Sequence, residues 1–345
     1  MAPKGSFENQ YDEYSPDVTA NILNNSRDGI SERFQAKLLK FKNEKLNILR
    51  MNMESDIFYD GTVYTGSAGL ALFYFMESLK NDNNPELLKT ALEYLNIENL
   101  KGRRISFLCG DAGPLALATV ISYKLGSKHT DKTLPDYKTL AQRLMSLISL
   151  LQESPDELLY GKSGYLYALL FVNKHISGKE VIPVKHIEKV ISSILKSGKQ
   201  YSAAMKCESP LLWQWHEKVY FGAAHGMAGI LYMLLQIFEE EKYMKIAVQC
   251  GNVVWNRGLC TKGYSICHGV SGNAYAFIQL YQATKKPMYL YQACCFMEWC
   301  AVERTGTELF HPDRPASLFE GLVGRVYLAE DITRVLDAKF PAFTL

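Results

Sequence analysis

Residues 160–172 read YGKSGYLYALLFV, and this stretch decides the fold. A G-x-x-G turn runs directly into a segment that is apolar on every side. A helix with no polar face is one buried from several directions. The same pattern recurs along the chain. Tyr64–Leu70 reads YTGSAGL, Cys109–Pro114 CGDAGP, His225–Ile230 HGMAGI, His268–Asn273 HGVSGN and Glu320–Arg325 EGLVGR. The first glycines stand at 66, 110, 161, 226, 269 and 321, so the spacing is roughly that of a helical-hairpin repeat. Glycine at these points permits positive φ or close backbone approach where a buried helix begins.

A second kind of helix follows several of these runs. Ile187, Val190, Ile191 and Ile194 fall at i, i+3, i+4 and i+7, and Leu140, Leu144, Leu147 and Leu151 form a similar stripe. These are one-sided helices with a wet outer face. There is no sustained alternation of period two. The sequence therefore predicts an all-α chain of alternating inner and outer helices. Stacked repeats with fully apolar inner helices favour an α/α toroid, a double-layered helical barrel of six hairpins, over an open solenoid. Residues 1–50 are expected to pack on this barrel and residues 51–345 to form it, as one domain overall.

Composition narrows the function. The chain has 345 residues, 48% hydrophobic and 21% charged, with a formal net charge of +2. That balance supplies no basic stripe for nucleic acid. No run is long and apolar enough for a transmembrane helix, and MAPKGSFENQYDEY contains no secretory h-region. Eight scattered cysteines fit reduced thiols, most of them buried as small apolar residues. A cytoplasmic location follows, with peripheral membrane attachment left open.

Among reactive residues, the pair Cys267-His268 stands beside one glycine turn and His225 beside another. Thiolate and imidazole are zinc ligands, and three protein ligands plus an open position make a catalytic zinc site. Imidazole also exchanges protons near neutrality, which suits His225 to acid–base work. On residue type alone, each has an ordinary structural reading as well. Lys262 reads as a loop lysine able to bind a carboxylate, and Asp313, in HPDRP, as a turn former. His186 reads as part of a solvated helix face. Asp111, Asp156, Glu157 and Glu320 lie near glycine motifs, the arrangement a glycosidase would need.

The motifs YTGSAG, FLCGDAGPLA, LLYGKSGYLYALLFVNK, YFGAAHGMAGI, GYSICHGVSGNAYAF, SLFEGLVG and FPAF, in that order, closely resemble the eukaryotic LanC-like proteins, relatives of bacterial lanthionine cyclases. The resemblance implies a barrel of seven inner and seven outer helices, zinc held by two cysteines and a histidine, and bound glutathione. It implies a glutathione transferase that forms a C–S bond with dehydroalanine or dehydrobutyrine, the residues left when phosphoserine or phosphothreonine loses phosphate. By motif match, Cys267 and His268 correspond to zinc ligands and His225 to the catalytic histidine. Lys262, Asp313 and Lys4 correspond to residues associated with glutathione. Glutathione and dehydrated peptides are the implied partners, and signalling proteins are partners it leaves open.

One departure stands out. The family carries a further repeat, reading H-W-C-H-G-A-P-G, whose cysteine is the third zinc ligand, and this chain runs from GAAHGMAGI straight into LYMLLQIFEEEKY. One repeat is missing, so six hairpins are expected rather than seven. Ala224 occupies the cysteine's register, and Cys260 is the nearest alternative sulfur. Phe310 stands where the family has a late-loop arginine. A family member that binds glutathione or a partner without turnover is the alternative function.

Overall fold

The computed structural model describes residues 5–51, 60–100, 102–126, 136–176, 178, 180–235, 244–304 and 311–344. These hold twelve α-helices: α1 (Glu32–Met51), α2 (Ser67–Lys80), α3 (Pro85–Glu93), α4 (Ala112–Leu125), α5 (Tyr137–Ser146), α6 (Lys162–His175), α7 (Val184–Ala204), α8 (Met227–Leu235), α9 (Met244–Arg257), α10 (Val270–Thr284), α11 (Pro287–Ala301) and α12 (Leu322–Thr333). Among the described residues there is no β-strand, only isolated bridges. No helix among them is long and apolar enough to cross a membrane. The all-α expectation holds. The chain forms two compact units, one of residues 1–59 with 240–340, the other of residues 60–239 with 341–345.

All six glycine-led helices are present: α2, α4, α6 and α8 in the second unit, α10 and α12 in the first. The turns before them share one hydrogen-bond pattern. The residue after the first glycine donates its amide to the carbonyl seven residues earlier: Ser67 to Asp60, Asp111 to Arg104, Lys162 to Pro155, Met227 to Tyr220, Val270 to Gly263 and Leu322 to Pro315. One hydrogen bond shared by six loops makes the repeat a structural fact as well as a sequence pattern.

The glycines serve close approach, not left-handed backbone. Gly66, Gly161, Gly269 and Gly321 have φ between −107° and −118°. What they lack is room for a Cβ. At Gly164 a Cβ would fall under 3.0 Å from the Leu158 carbonyl oxygen and the Ser106 Cβ, and at Gly324 under 3.0 Å from the Leu318 carbonyl oxygen.

Burial follows the expected alternation. In α4, Ala112 to Ile121 is buried without a break, and α6 is buried from Lys162 to Leu169. In the second unit α2 packs on α4, α4 on α6 and α6 on α8, while α3, α5 and α7 each back their own inner helix. Phe107 meets Tyr167 edge-on at 4.8 Å and Phe171 at 5.5 Å, and Phe75 meets Phe171 at 5.6 Å. Each such ring contributes about 1.5–3 kcal/mol through removal from water. Helix α7 buries only Ile187, Val190, Ile194, Gly198 and Ser202, a single stripe.

In the first unit α10 packs on α11, α12 on α11, and α1 on α12. Helix α11 is buried nearly throughout, unlike the other outer helices. The N-terminal residues cover it: the Tyr291 hydroxyl donates to the Asp12 carbonyl (3.0 Å), Tyr14 packs on Tyr291, and Lys37 pairs with Glu298 (2.5 Å). The eight cysteines form no disulfide, and Cys109, Cys294, Cys295 and Cys300 are buried. His186 departs from the solvated face expected of it. It is half-buried and hydrogen-bonds the Tyr165 hydroxyl at 3.0 Å.

Candidate functional site

The residue before each first glycine occupies the same place in the repeated loop. Those residues are Thr65, Cys109, Tyr160, His225, His268 and Glu320. Chemistry concentrates at three of them, and each unit holds part of it.

In the second unit His225 is fixed by a carboxylate that sequence reasoning had placed only as a glycosidase candidate. Glu157 is 2% exposed. Its Oε2 accepts from the Leu159 amide (2.9 Å) and meets His225 Nδ1 at 2.8 Å, while Oε1 accepts from the Tyr160 amide (2.6 Å). Burial pushes the Glu157 carboxyl above its ordinary 4.5, and the hydrogen bonds from Tyr160, His225 and Leu159 oppose that shift. A carboxylate with three donors converging on it is a natural acceptor for an imidazolium. It also fixes the ring, leaving Nε2 as the nitrogen free of this contact. The imidazole lies nearly parallel to Tyr160 (12°, 5.9 Å) and Trp215 (8°, 5.6 Å). Glu157 sits four residues before a first glycine, a register filled by Thr62, Ser106, Gly222, Ser265 and Ser317 in the other repeats. An acid in a position otherwise small or neutral was the available signal.

Two other acids of the glycosidase alternative are spent structurally. Asp156 pairs with Lys162 at 2.9 Å, and Asp111 caps the Gly102 amide at 2.6 Å.

In the first unit the loop 259–269 gathers Cys260, Lys262, Cys267 and His268. Cys267 Sγ and His268 Nδ1 lie 2.8 Å apart. The Ile266 and Cys267 amides both donate to the Phe319 carbonyl (2.9 and 3.2 Å), which seats this turn against the loop bearing Glu320. Burial lowers His268 from its ordinary value, and the positive charge of Lys262 adds to that. Burial raises the Cys260 thiol, while the Lys262 amide and ammonium pull it down. Asp313 is exposed, and its charge adds to burial in raising Glu320. The chain's first described residues lie along the same loop: Thr261 donates to the Gly5 carbonyl (3.0 Å) and Phe7 to Leu259 (2.6 Å). Lys4 and Phe310 fall outside the described residues.

The donor set was expected to hold zinc. Sulfur and imidazole nitrogen at 2.8 Å stand at hydrogen-bond distance, closer than the about 3.5 Å that separates such donors around a tetrahedral metal. A third ligand does not join them. Among the described residues no group of three His, Cys, Asp or Glu side chains is placed to hold a metal. The Cys260 sulfur contacts the His268 carbonyl at 3.6 Å instead, and Ala224 has no donor side chain. The residues present do not make a complete three-ligand zinc site.

Comparison with known proteins agrees with the sequence reading. The family model for lanthionine synthetase C-like protein matches residues 57–238 and 234–345. Glutathione S-transferase LANCL1 of Danio rerio is 34% identical over 412 aligned positions, covering 99% of this chain and all of that protein. LanC-like protein GCL1 of Arabidopsis thaliana is 28% identical, covering 83% of this chain and 82% of its own. Among solved structures, nisin cyclase matches with a TM-score of 0.44 and 14% identity over 87% of this chain and 86% of that chain. The break in the family match falls at 234–238, where the sequence reading places the missing repeat. The zebrafish alignment exceeds this chain's 345 residues by about one repeat.

Proposed function

This chain belongs to the lanthionine synthetase C-like family, and from that premise we propose that it joins glutathione to dehydroalanine or dehydrobutyrine residues in peptides. The observation that carries the reading is the buried Glu157 holding His225 at 2.8 Å. The glutathione sulfur bonds to the alkene β-carbon, and the π pair moves to the α-carbon and its carbonyl. His225, protonated and held by Glu157, delivers a proton to the α-carbon. The proton lost by the thiol balances the one delivered. Lys262, Asp313 and Lys4 bind the glutathione carboxylates and amine, and Cys267 with His268 faces its thiol. Lys262 supplies the positive charge that a thiolate needs. Zinc, where bound, would supply Lewis-acid stabilisation of that thiolate. With two donors matched, the metal is proposed to bind weakly.

The incomplete donor set favours a second reading, a family member that binds glutathione without turnover. One experiment separates them. The protein is incubated with glutathione and a dehydroalanine peptide, the adduct is followed by mass spectrometry, and zinc in the same sample is measured. Adduct formation well above the spontaneous rate, abolished in His225→Asn, supports the transferase. Glutathione binding with only the spontaneous rate establishes the second reading.

A further inference from the structure

A cavity of about 490 Å³ opens in the second unit beside the His225 ring stack. Arg103, Arg104, Glu153, Tyr160, Trp215 and His216 are among its lining residues, so two guanidiniums face one carboxylate there. Tyr160 and Trp215 are the two rings that lie parallel to His225, so the cavity and the acid share a wall. Both arginines are exposed, and neither has a carboxylate partner among the described residues. The Arg104 guanidinium lies over the Tyr160 ring at 4.7 Å, which orients its planar fork.

The far wall is built against local preference. Trp215 and Lys218 exchange backbone hydrogen bonds (2.8 and 3.1 Å) across a two-residue turn. Both turn residues are left-handed, His216 at φ 46° and Glu217 at φ 60°. Such turns ordinarily take Asn-Gly. A His-Glu pair persists there only where the surroundings fix it, and strain of this kind collects at ligand sites. The strained turn sets Trp215 and His216 against the arginines.

We propose that this cavity binds an anionic side chain of the peptide substrate, a carboxylate or phosphate close in sequence to the dehydro residue. The inference rests on the transferase reading and names its substrate class: acidic or phosphorylated peptides. Two guanidiniums offer the bidentate donors that carboxylate and phosphate require. The aromatic walls cover the adjoining peptide stem, and the volume lies in the range of a small-ligand pocket.

The test uses the full chain and three dehydroalanine peptides that differ at one neighbouring residue: phosphoserine, glutamate or glutamine. For the native protein, KM for either anionic peptide should lie about tenfold below that for the glutamine peptide, and the gap should shrink at high salt. Arg103→Gln/Arg104→Gln should bring the three KM values together while kcat and KM for glutathione stay unchanged. Phosphoserine over glutamate identifies phosphate as the ligand, and equality identifies either anion. Equal KM values in the native protein, or a preference that survives the double variant, overturn the proposal. A rise in KM for glutathione instead assigns the cavity to glutathione and also overturns it. If no peptide turns over, the transferase reading fails on its own, and the cavity is then judged by calorimetry. Peptides with serine in place of dehydroalanine should still bind about tenfold tighter when anionic, and equal binding refutes the cavity proposal.

Discussion

Replacing Glu157 by glutamine is the sharpest probe of the His225 arrangement. The native carboxylate accepts three hydrogen bonds, from Leu159, Tyr160 and His225. Glutamine offers one oxygen and one NH₂ group. If its oxygen takes the Oε2 place, the NH₂ confronts the Tyr160 amide. If it takes the Oε1 place, the NH₂ confronts the buried Leu159 amide and forces His225 to turn its tautomer. Either way one backbone donor loses its partner out of water, a cost of about 1–3 kcal/mol. The negative charge facing Nδ1 also vanishes, so an imidazolium loses its stabilising neighbour. A positioned acid contributes about 10²–10⁴ in rate, and most of that should go. Urea titration should show a loss of about 2 kcal/mol. Single-turnover adduct formation should fall about a hundredfold, and Glu157→Gln/His225→Asn should be little slower than His225→Asn alone. A variant within twofold of native rate, or two substitutions whose rate effects multiply, would refute the view that Glu157 acts through His225.

Other expectations follow from the same geometry. Gly164→Ala places a Cβ under 3.0 Å from the Leu158 carbonyl oxygen and the Ser106 Cβ. It should cost about 1–3 kcal/mol in urea titrations, against under about 0.5 kcal/mol for Gly61→Ala, where nothing lies within 4 Å. His186 is held below its ordinary 6.5, mainly by burial and secondarily by the Lys189 charge. Below pH 6.5 the unfolded chain therefore takes up a proton before the folded one, and stability falls as pH drops toward the folded value. His186→Gln should flatten that fall in melting temperature between about pH 7.5 and about pH 5. Metal analysis of protein dialysed against a mild chelator should find far less than one zinc per chain, and Cys267→Ser should remove what remains. One tightly held zinc would show that a third ligand joins Cys267 and His268.

The fold was legible because its signal is repeated. Six G-x-x-G turns ahead of fully apolar runs leave little choice but buried helices, and Ile187, Val190 and Ile194 mark an outer helix just as directly. The role of the glycines was only half legible. Sequence cannot distinguish a left-handed residue from one whose Cβ would meet a carbonyl, and the second explanation is the one realised at Gly161 and Gly164. Helix α11 hid its burial, because what covers it, Asp12 and Tyr14, lies more than two hundred residues away in the chain. Of the candidate site, the shared loop register of His225 and His268, with Cys267 beside it, was legible. Glu157 was legible only as one of several acids near glycine motifs, a glycosidase candidate. Its meaning lies in a contact with His225, 68 residues on, that no local pattern encodes.

The missing repeat accounts for this division of the site. In a repeat array each unit is stabilised chiefly by its neighbours, so removal of one whole unit leaves the remaining order intact. The order here is intact: α8 is glycine-led and apolar, and α9, next in sequence, is amphipathic. Functional sites do not share that tolerance, because their side chains come from several units. The proposed acid lies clear of the break. Glu157, Tyr160, Trp215 and His225 all come from residues of one compact unit, on the N-terminal side of the break in the family match. The proposed metal site does not, since the third sulfur that the family resemblance implies belongs to the repeat that this chain lacks. Folding alone gives no reason for a buried, desolvated Glu157 beside a half-exposed histidine. A neutral residue there would avoid the cost of burying a charge. A buried carboxylate holding that histidine beside an arginine-lined cavity fits the proposed proton donor acting on a peptide, whatever holds the thiol.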